Sequence, residues 1–156
     1  MVKTLALFVV SLLAAFWLGG SDNFLDALAW NVVLAVFAAI ATLFIRVRGI
    51  QRLAYASIAL ILVFLGHYLG RTEAARAYND CVARAEEVRL AVVAFHSKTK
   101  QIPATMEETG VTACGQKVLR PALLSYRTMS NDFELSFSDS LITWKGSISE
   151  PMMAHK

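Results

Sequence analysis

Hydrophobic positions along the chain follow three successive patterns. As far as Gly70 they form long, nearly continuous runs; beyond it they recur every three or four residues; and from Leu124 onward they alternate with polar residues. These patterns are typical of membrane-spanning helices, an amphipathic helix and half-buried strands, respectively. The sequence therefore predicts a transmembrane region, residues 1–70, followed by a small α+β domain, residues 71–156.

The transmembrane region contains several apolar runs, each close to the ~17 to 25 residues that a spanning helix needs. There are three of them, at about residues 4–20, 24–45 and 53–70. We therefore expect three transmembrane α-helices, with the lipid bilayer as their partner. A cleaved signal peptide is an alternative for the first run, although Trp17-Leu18-Gly19-Gly20 makes a poor small-x-small cleavage site. Cleavage would leave two spans.

Charges in the two short connections predict the orientation. The turn at 21–23 is acidic, whereas the loop at 46–52 contains three arginines. Because positively charged loops remain in the cytoplasm, the amino terminus is expected there as well. The sequence thus predicts a multi-pass protein of a bacterial inner membrane, with its C-terminal domain in the periplasm.

One long helix is predicted to join the third span to the external domain. Neither glycine nor proline occurs between Arg71 and Ile102, so a helix from about Ile50 to about Lys98 is expected to continue past the membrane. Its external half carries apolar residues at steps of three and four, which places them on one face. They are Ala74, Tyr78, Cys81, Ala85, Val88, Val92 and Phe95.

A three-stranded antiparallel sheet is predicted after Pro103, which ends the helix. Alternation indicates strands at about 124–128, 133–138 and 141–148, with Asn131-Asp132 as a turn. The apolar face of this sheet is expected to pack on the apolar face of the helix. Residues after Glu150 are predicted to form a frayed tail.

Cys81 and Cys114 are the only cysteines, and both follow the predicted spans. An even count on the oxidising side of a membrane indicates one disulfide bond, which would tie the helix to the segment after it. A metal or redox pair is the alternative, but it would need closer spacing or more ligands.

Other chemistry is weakly indicated. The net charge of +3 arises mainly from arginines beside the spans, so no nucleic-acid partner is expected. No nucleophile elbow, His-Glu metal pair or phosphate loop is present, and the adjacent Glu86 and Glu87 are interpreted as a solvated face. We therefore predict no enzymatic activity and no cofactor. Three minor alternatives stay open: a polar pathway, a haem or quinone site, and copper binding. The polar pathway would involve Asp26 and Asn31. The haem or quinone site would involve His67 and Tyr68, and copper binding would involve Met152, Met153 and His155.

The external part resembles the type IV pilins and the pseudopilins of type II secretion. The resemblance is carried by Ala94-Phe95, Ile102-Pro103, Glu107-Glu108, Tyr126 and the segment 132–137. It implies a long helix, half in the membrane, whose external half packs on an antiparallel sheet. Pilins have one span, a processing glycine and a glutamate five residues into the mature chain. This chain has three predicted spans and lacks that arrangement before the third, so the resemblance implies a fixed membrane component.

These features predict a non-catalytic membrane protein that presents a pilin-like domain to protein partners, in a pilus or secretion assembly. The exposed sheet edge would accept a partner strand, and Glu134 and Lys145 are the candidate surface residues. The alternative is a small accessory subunit that stabilises a respiratory or transport complex. A membrane-disrupting lysis protein is a third hypothesis, against which the ordered external domain argues.

Overall fold

A computed structural model describes residues 2–21, 24–44, 49–139 and 141–156 of the chain. The chain divides into two compact units, Met1–Ala74 and Ala75–Lys156. Its helices are α1 (Val2–Gly19), α2 (Phe24–Leu43) and α3 (Gly49–Thr99), and a single 3-10 turn follows at Met106–Thr109.

Helix α3 confirms the predicted long helix. It runs for 51 residues without interruption, from the apolar region into the small domain. It ends where Lys100 adopts a left-handed conformation (φ 59°) and its N–H donates to the carbonyl of His96 at 2.8 Å. This arrangement satisfies one of the last carbonyls of the helix.

Helix α3 is also the one helix, among the residues described, that is long and apolar enough to cross a membrane. The apolar segments of the other two helices, Thr4–Gly19 and Ala27–Thr42, fall between 10 and 17 residues. The prediction of three spans is thus reduced to one candidate span by length and composition.

Glycines bring α1 and α3 into close backbone contact within the first unit. A Cβ atom at Gly66 would lie 2.5 Å from the carbonyl oxygen of Leu12, and one at Gly70 would clash with the carbonyl oxygen of Phe16. The two glycines are four residues apart on α3, which is the small-xxx-small spacing of closely packed membrane helices.

The second unit contains an antiparallel sheet of four strands in the order β1-β2-β3-β4. The strands are β1 (Ser125–Thr128), β2 (Phe133–Ser138), β3 (Thr143–Gly146) and β4 (Met153–His155). The first three lie within the predicted segments. The fourth shows that the predictions of a three-stranded sheet and of a frayed tail were wrong, because Met153–His155 pairs with β3 through its backbone.

The core of the second unit lies between one face of α3 and the sheet. The inward positions of β2 alternate with half-buried polar positions, as predicted. The core residues are Cys81, Ala85, Val88, Val92, Met106, Cys114, Leu124, Phe133, Leu135 and Phe137.

Cys81 and Cys114 lie at disulfide distance, as the sequence predicted. Their Cα atoms are 5.0 Å apart, and both side chains are fully buried. The N–H of Gly115 donates to the Asp80 carboxylate at 2.8 Å beside them. The cross-link closes a separation of 33 residues, for which chain-entropy arguments give about 3 to 4 kcal/mol of stabilisation.

Candidate interaction surfaces

Glu134 and Lys145, the predicted surface residues, lie on the two inner strands of the sheet. Glu134 is on β2 and Lys145 is on β3, and their charged atoms are 3.9 Å apart. Both side chains are at least one-third exposed. They therefore lie on the outer face of the sheet rather than at its edge. An ion pair that is this exposed to solvent contributes little to stability.

The edges of the sheet are β1 and β4. All three residues of β4 are exposed, and β1 is exposed except at Tyr126. Tyr126 is half-buried, and its hydroxyl donates to the carbonyl of Pro103 at 2.6 Å. Burial raises the pKa of this hydroxyl, and the nearby Glu108 carboxylate adds to the effect. Either edge offers backbone groups to which another strand can add.

A buried arginine holds the connection between β3 and β4 against α3. Arg89 is only 9% exposed, and its Nε and Nη2 donate to the carboxylate of Glu86 at 2.7 to 3.0 Å. Its Nη1 donates to the carbonyls of Ser147 and Ile148 at 3.0 and 3.3 Å. Glu86 also accepts the N–H of Met152 at 2.9 Å. We call these five residues the arginine clasp.

The arginine clasp gives Glu86, interpreted above as part of a solvated face and 44% exposed at its side chain, a structural contact as well. The hydrogen bonds from Arg89 hold the pKa of the Glu86 carboxyl below its usual value, against the opposing effect of burial, and the Met152 N–H contributes further. The sequence signal was the spacing of Glu86 and Arg89, three residues apart on one helix. The carbonyls that Arg89 reaches lie in a distant segment, which no helical spacing indicates.

An open groove of about 710 Å³ lies between the end of α3 and the β1–β2 turn. Its lining is mixed in polarity and includes His96, Lys100, Ile102, Met129 and Asn131. The Nδ1 atom of His96 is buried and has no hydrogen-bond partner in the described part of the second unit.

His67 and Asn31 form a polar contact between α3 and α2. The Asn31 amide nitrogen donates to the carbonyl of Ala27 at 2.7 Å and contacts His67 Nδ1 at 3.0 Å. This agrees with the interpretation of Asn31 as a helix–helix contact rather than part of a polar pathway, while the side chain of Asp26 lies outside the described residues.

The residues considered for copper do not share one surface. Met153 and His155 are on β4, whereas Met152 is half-buried and packs against Gly146. Within the described ranges, no three His, Cys, Asp or Glu side chains are grouped so that they could hold a metal ion.

Comparison with known proteins finds no matching family model, no matching curated protein and no matching solved structure.

Proposed function

We propose that this protein is a non-catalytic membrane protein that presents a pilin-like domain for binding to other proteins. The observation that carries the proposal is α3, whose apolar first half continues as one helix into a second half covered by an antiparallel sheet. A helix of this kind would join a folded domain to a membrane-spanning segment. A fixed domain with exposed strand edges suits assembly better than catalysis.

The proposed location is a bacterial inner membrane, with the domain in the periplasm. The arginine-rich loop at 46–52 supports this orientation. The cysteine pair supports an oxidising compartment. The close contact of α1 with α3 supports the proposal that α1 also lies within the bilayer, in a bundle of three spans.

The proposed setting is a type IV pilus or a type II secretion-like assembly, in which the protein is a fixed component. Support comes from the resemblance in sequence to pilins, which implies a half-apolar helix packed on an antiparallel sheet. The extra apolar helices α1 and α2 would oppose extraction from the membrane, so the domain would act from a constant position.

The test is capture of partners from native membranes in a mild detergent, through a tag at the amino terminus, away from β4. Pilus or secretion components should be recovered with the native chain. The matched variant is Glu134→Lys with Lys145→Glu, which keeps the ion pair of the outer face but reverses its polarity towards a partner. We expect it to lose partners while its thermal unfolding is unchanged. Recovery of no pilus or secretion component with the native chain would refute this setting.

The second candidate is an accessory subunit that stabilises a respiratory or transport complex. It is favoured by the large apolar side chains that the first unit exposes, including Leu5, Phe37 and Phe64, each at least 66% exposed. Such surfaces suit either lipid or a larger neighbour. Capture of respiratory or transport subunits, equally by the native chain and the charge-reversed variant, would support this candidate.

A further inference from the structure

The first strand of the sheet has one side that no other strand of the described sheet covers. In the order β1-β2-β3-β4, β1 pairs with β2 alone. All of its residues are exposed except Tyr126, which is half-buried. We call the unpaired side of residues 125–128 the β1 edge. Such an edge is a template to which an extended segment of another chain can add.

The β1–β2 hairpin determines which backbone groups the β1 edge offers. The N–H of Met129 donates to the carbonyl of Asp132 at 2.8 Å, so these opposed residues form a hydrogen-bonded pair. Along an antiparallel ladder such pairs alternate with pairs that are not hydrogen-bonded. Thr128 and Tyr126, one and three residues before Met129, therefore direct their N–H and C=O groups away from β2. Because they are two residues apart, both can bond to the same added strand.

The β1 edge leads into the open groove at the end of α3. Thr128, the last residue of β1, lines this groove together with His96 and Lys100. Side chains in a strand alternate between the two faces of the sheet, so Thr128 is on the same face as Tyr126, which packs against the core. A side chain of an added strand that lies opposite Thr128 would therefore enter the groove.

The charges of the groove favour an acidic occupant. Lys100 supplies an ammonium group, and His96 supplies an imidazole, of which one nitrogen carries a proton in either tautomer. None of the nine described residues that line the groove is acidic. The carboxylate of Glu108, which is close to β1, is outside the lining and accepts the N–H of Ala104 at 3.0 Å. A partner carboxylate in the groove would thus meet complementary charge.

The charge on β1 itself argues against a second copy of this chain as the occupant. Two β1 strands that paired through both Tyr126 and Thr128 about a two-fold axis would be centred on Arg127. The pairing would set this exposed arginine opposite its counterpart, and like charges directly opposite each other are destabilising. An acidic strand from a different protein would instead bring a carboxylate to the same position.

We propose that the β1 edge and the groove at the end of α3 together bind an extended, acidic segment of a partner protein. The segment adds to β1 through the backbone groups of Tyr126 and Thr128, and it places a carboxylate beside Lys100 and His96. Main-chain hydrogen bonds provide affinity, and the charge in the groove provides specificity. The inference rests on the proposed function of the domain in binding proteins, and it names the surface and the chemistry of the partner.

The test uses the full chain in detergent micelles and three short peptides in which threonine alternates with a second residue. The second residue is glutamate in the first peptide, glutamine in the second and lysine in the third. Binding is followed by backbone amide NMR of the protein, up to millimolar peptide, and by the rates of amide hydrogen exchange.

The glutamate peptide should bind several-fold more tightly than the glutamine peptide, and the lysine peptide should bind more weakly than either. The amides of Tyr126 and Thr128 should exchange several-fold more slowly in the complex, because they gain carbonyl acceptors. The amide of Arg127, which faces β2, should change little. A glutamate peptide that does not bind, or that binds without protecting these two amides, would overturn the proposal.

Substitutions separate the two parts of the site. Thr128→Pro removes an outward N–H from an edge strand, where proline is tolerated, and should weaken the glutamate and glutamine peptides several-fold. Thr128→Val keeps the N–H and should not. Lys100→Asn should weaken the glutamate peptide alone, and asparagine tolerates the left-handed φ of 59°. Lys156→Asn, the same change beyond β4 at the opposite side of the sheet, is the control. Equal effects of the two asparagine variants would contradict the groove as the carboxylate site.

Capture from native membranes separates this inference from the proposed function. If the native chain recovers pilus or secretion components and Thr128→Pro recovers them equally, binding at the β1 edge fails while the proposed function stands. If the native chain recovers none of them although the peptide results hold, the proposed setting fails and the binding site stands.

Discussion

At the scale of single residues, the first unit depends on glycines that permit contact between α1 and α3. Because a side chain at Gly66 would meet the backbone of Leu12, Gly66→Val must push the helices apart. We expect the free energy of unfolding to fall by about 1 to 3 kcal/mol, the usual range for overpacking. Thermal unfolding in detergent measures it. Gly49→Ala is the control, since its Cβ meets nothing within 4 Å; equal behaviour of both variants would contradict the packing described.

Two left-handed residues give a second prediction at this scale. Lys100 follows α3 with φ 59°, and Gly110 follows the 3-10 turn with φ 72°. Lys100→Gly should stabilise the domain by up to about 1 kcal/mol, because glycine relieves the strain of the left-handed conformation. Gly110→Ala should destabilise it by about 1 kcal/mol for the converse reason. Denaturant unfolding of both variants checks the signs, and a destabilised Lys100→Gly would show that its side chain makes a needed contact.

At the scale of elements, the arginine clasp determines how firmly β4 is held. The folded-state pKa of Glu86 is lowered from its usual value of 4.5. The stability that the ionised carboxylate contributes is therefore fully present above pH 4.5 and is lost as the pH falls through the lowered pKa. Glu86→Gln removes the charge paired with buried Arg89, so the variant should be less stable at neutral pH and lose less on acidification. Thermal unfolding between pH 7 and pH 3 measures this.

Hydrogen exchange gives the matching readout for the strand itself. Relative to the native protein, Glu86→Gln should accelerate amide exchange in β4 more than in β2. The reason is that the Met152 N–H loses its charged acceptor just before β4 begins. Glu87→Gln is the control, an exposed neighbour outside the clasp. Equal acceleration across the whole sheet would indicate general destabilisation rather than release of one strand.

At the scale of the whole molecule, the cysteine pair stabilises a domain whose core is small. Replacing Cys81 and Cys114 together by serine should lower the free energy of unfolding of the second unit by about 3 to 4 kcal/mol, mainly through the less restricted unfolded chain. The midpoint of denaturant unfolding, followed at Trp144 in the second unit, should move to a much lower denaturant concentration. The midpoint of the native protein should move in the same direction under a reductant. A midpoint unchanged in both cases would mean that the bond contributes nothing.

How far the sequence predicts this molecule depends on the range of each interaction. Helix α3, the buried stripe at Cys81, Ala85 and Val88, and the alternation of β2 follow from periodicities within neighbouring residues, so they were predictable. The cysteine pair was predictable because the chain has no others. Of the three predicted spans, α3 is the one candidate that the described residues support.

The sequence alone thus determined the order of apolar and amphipathic segments and the side of each element that is buried, because both depend on local spacing. Only the tertiary structure decided that Met153–His155 forms a strand, that Arg89 reaches Ser147 across the domain, and that Val118 and Leu119 are exposed together at a turn. The first two depend on backbone groups, which every residue carries alike. The third depends on where the chain turns. For these reasons no pattern of side chains along the sequence predicts any of the three.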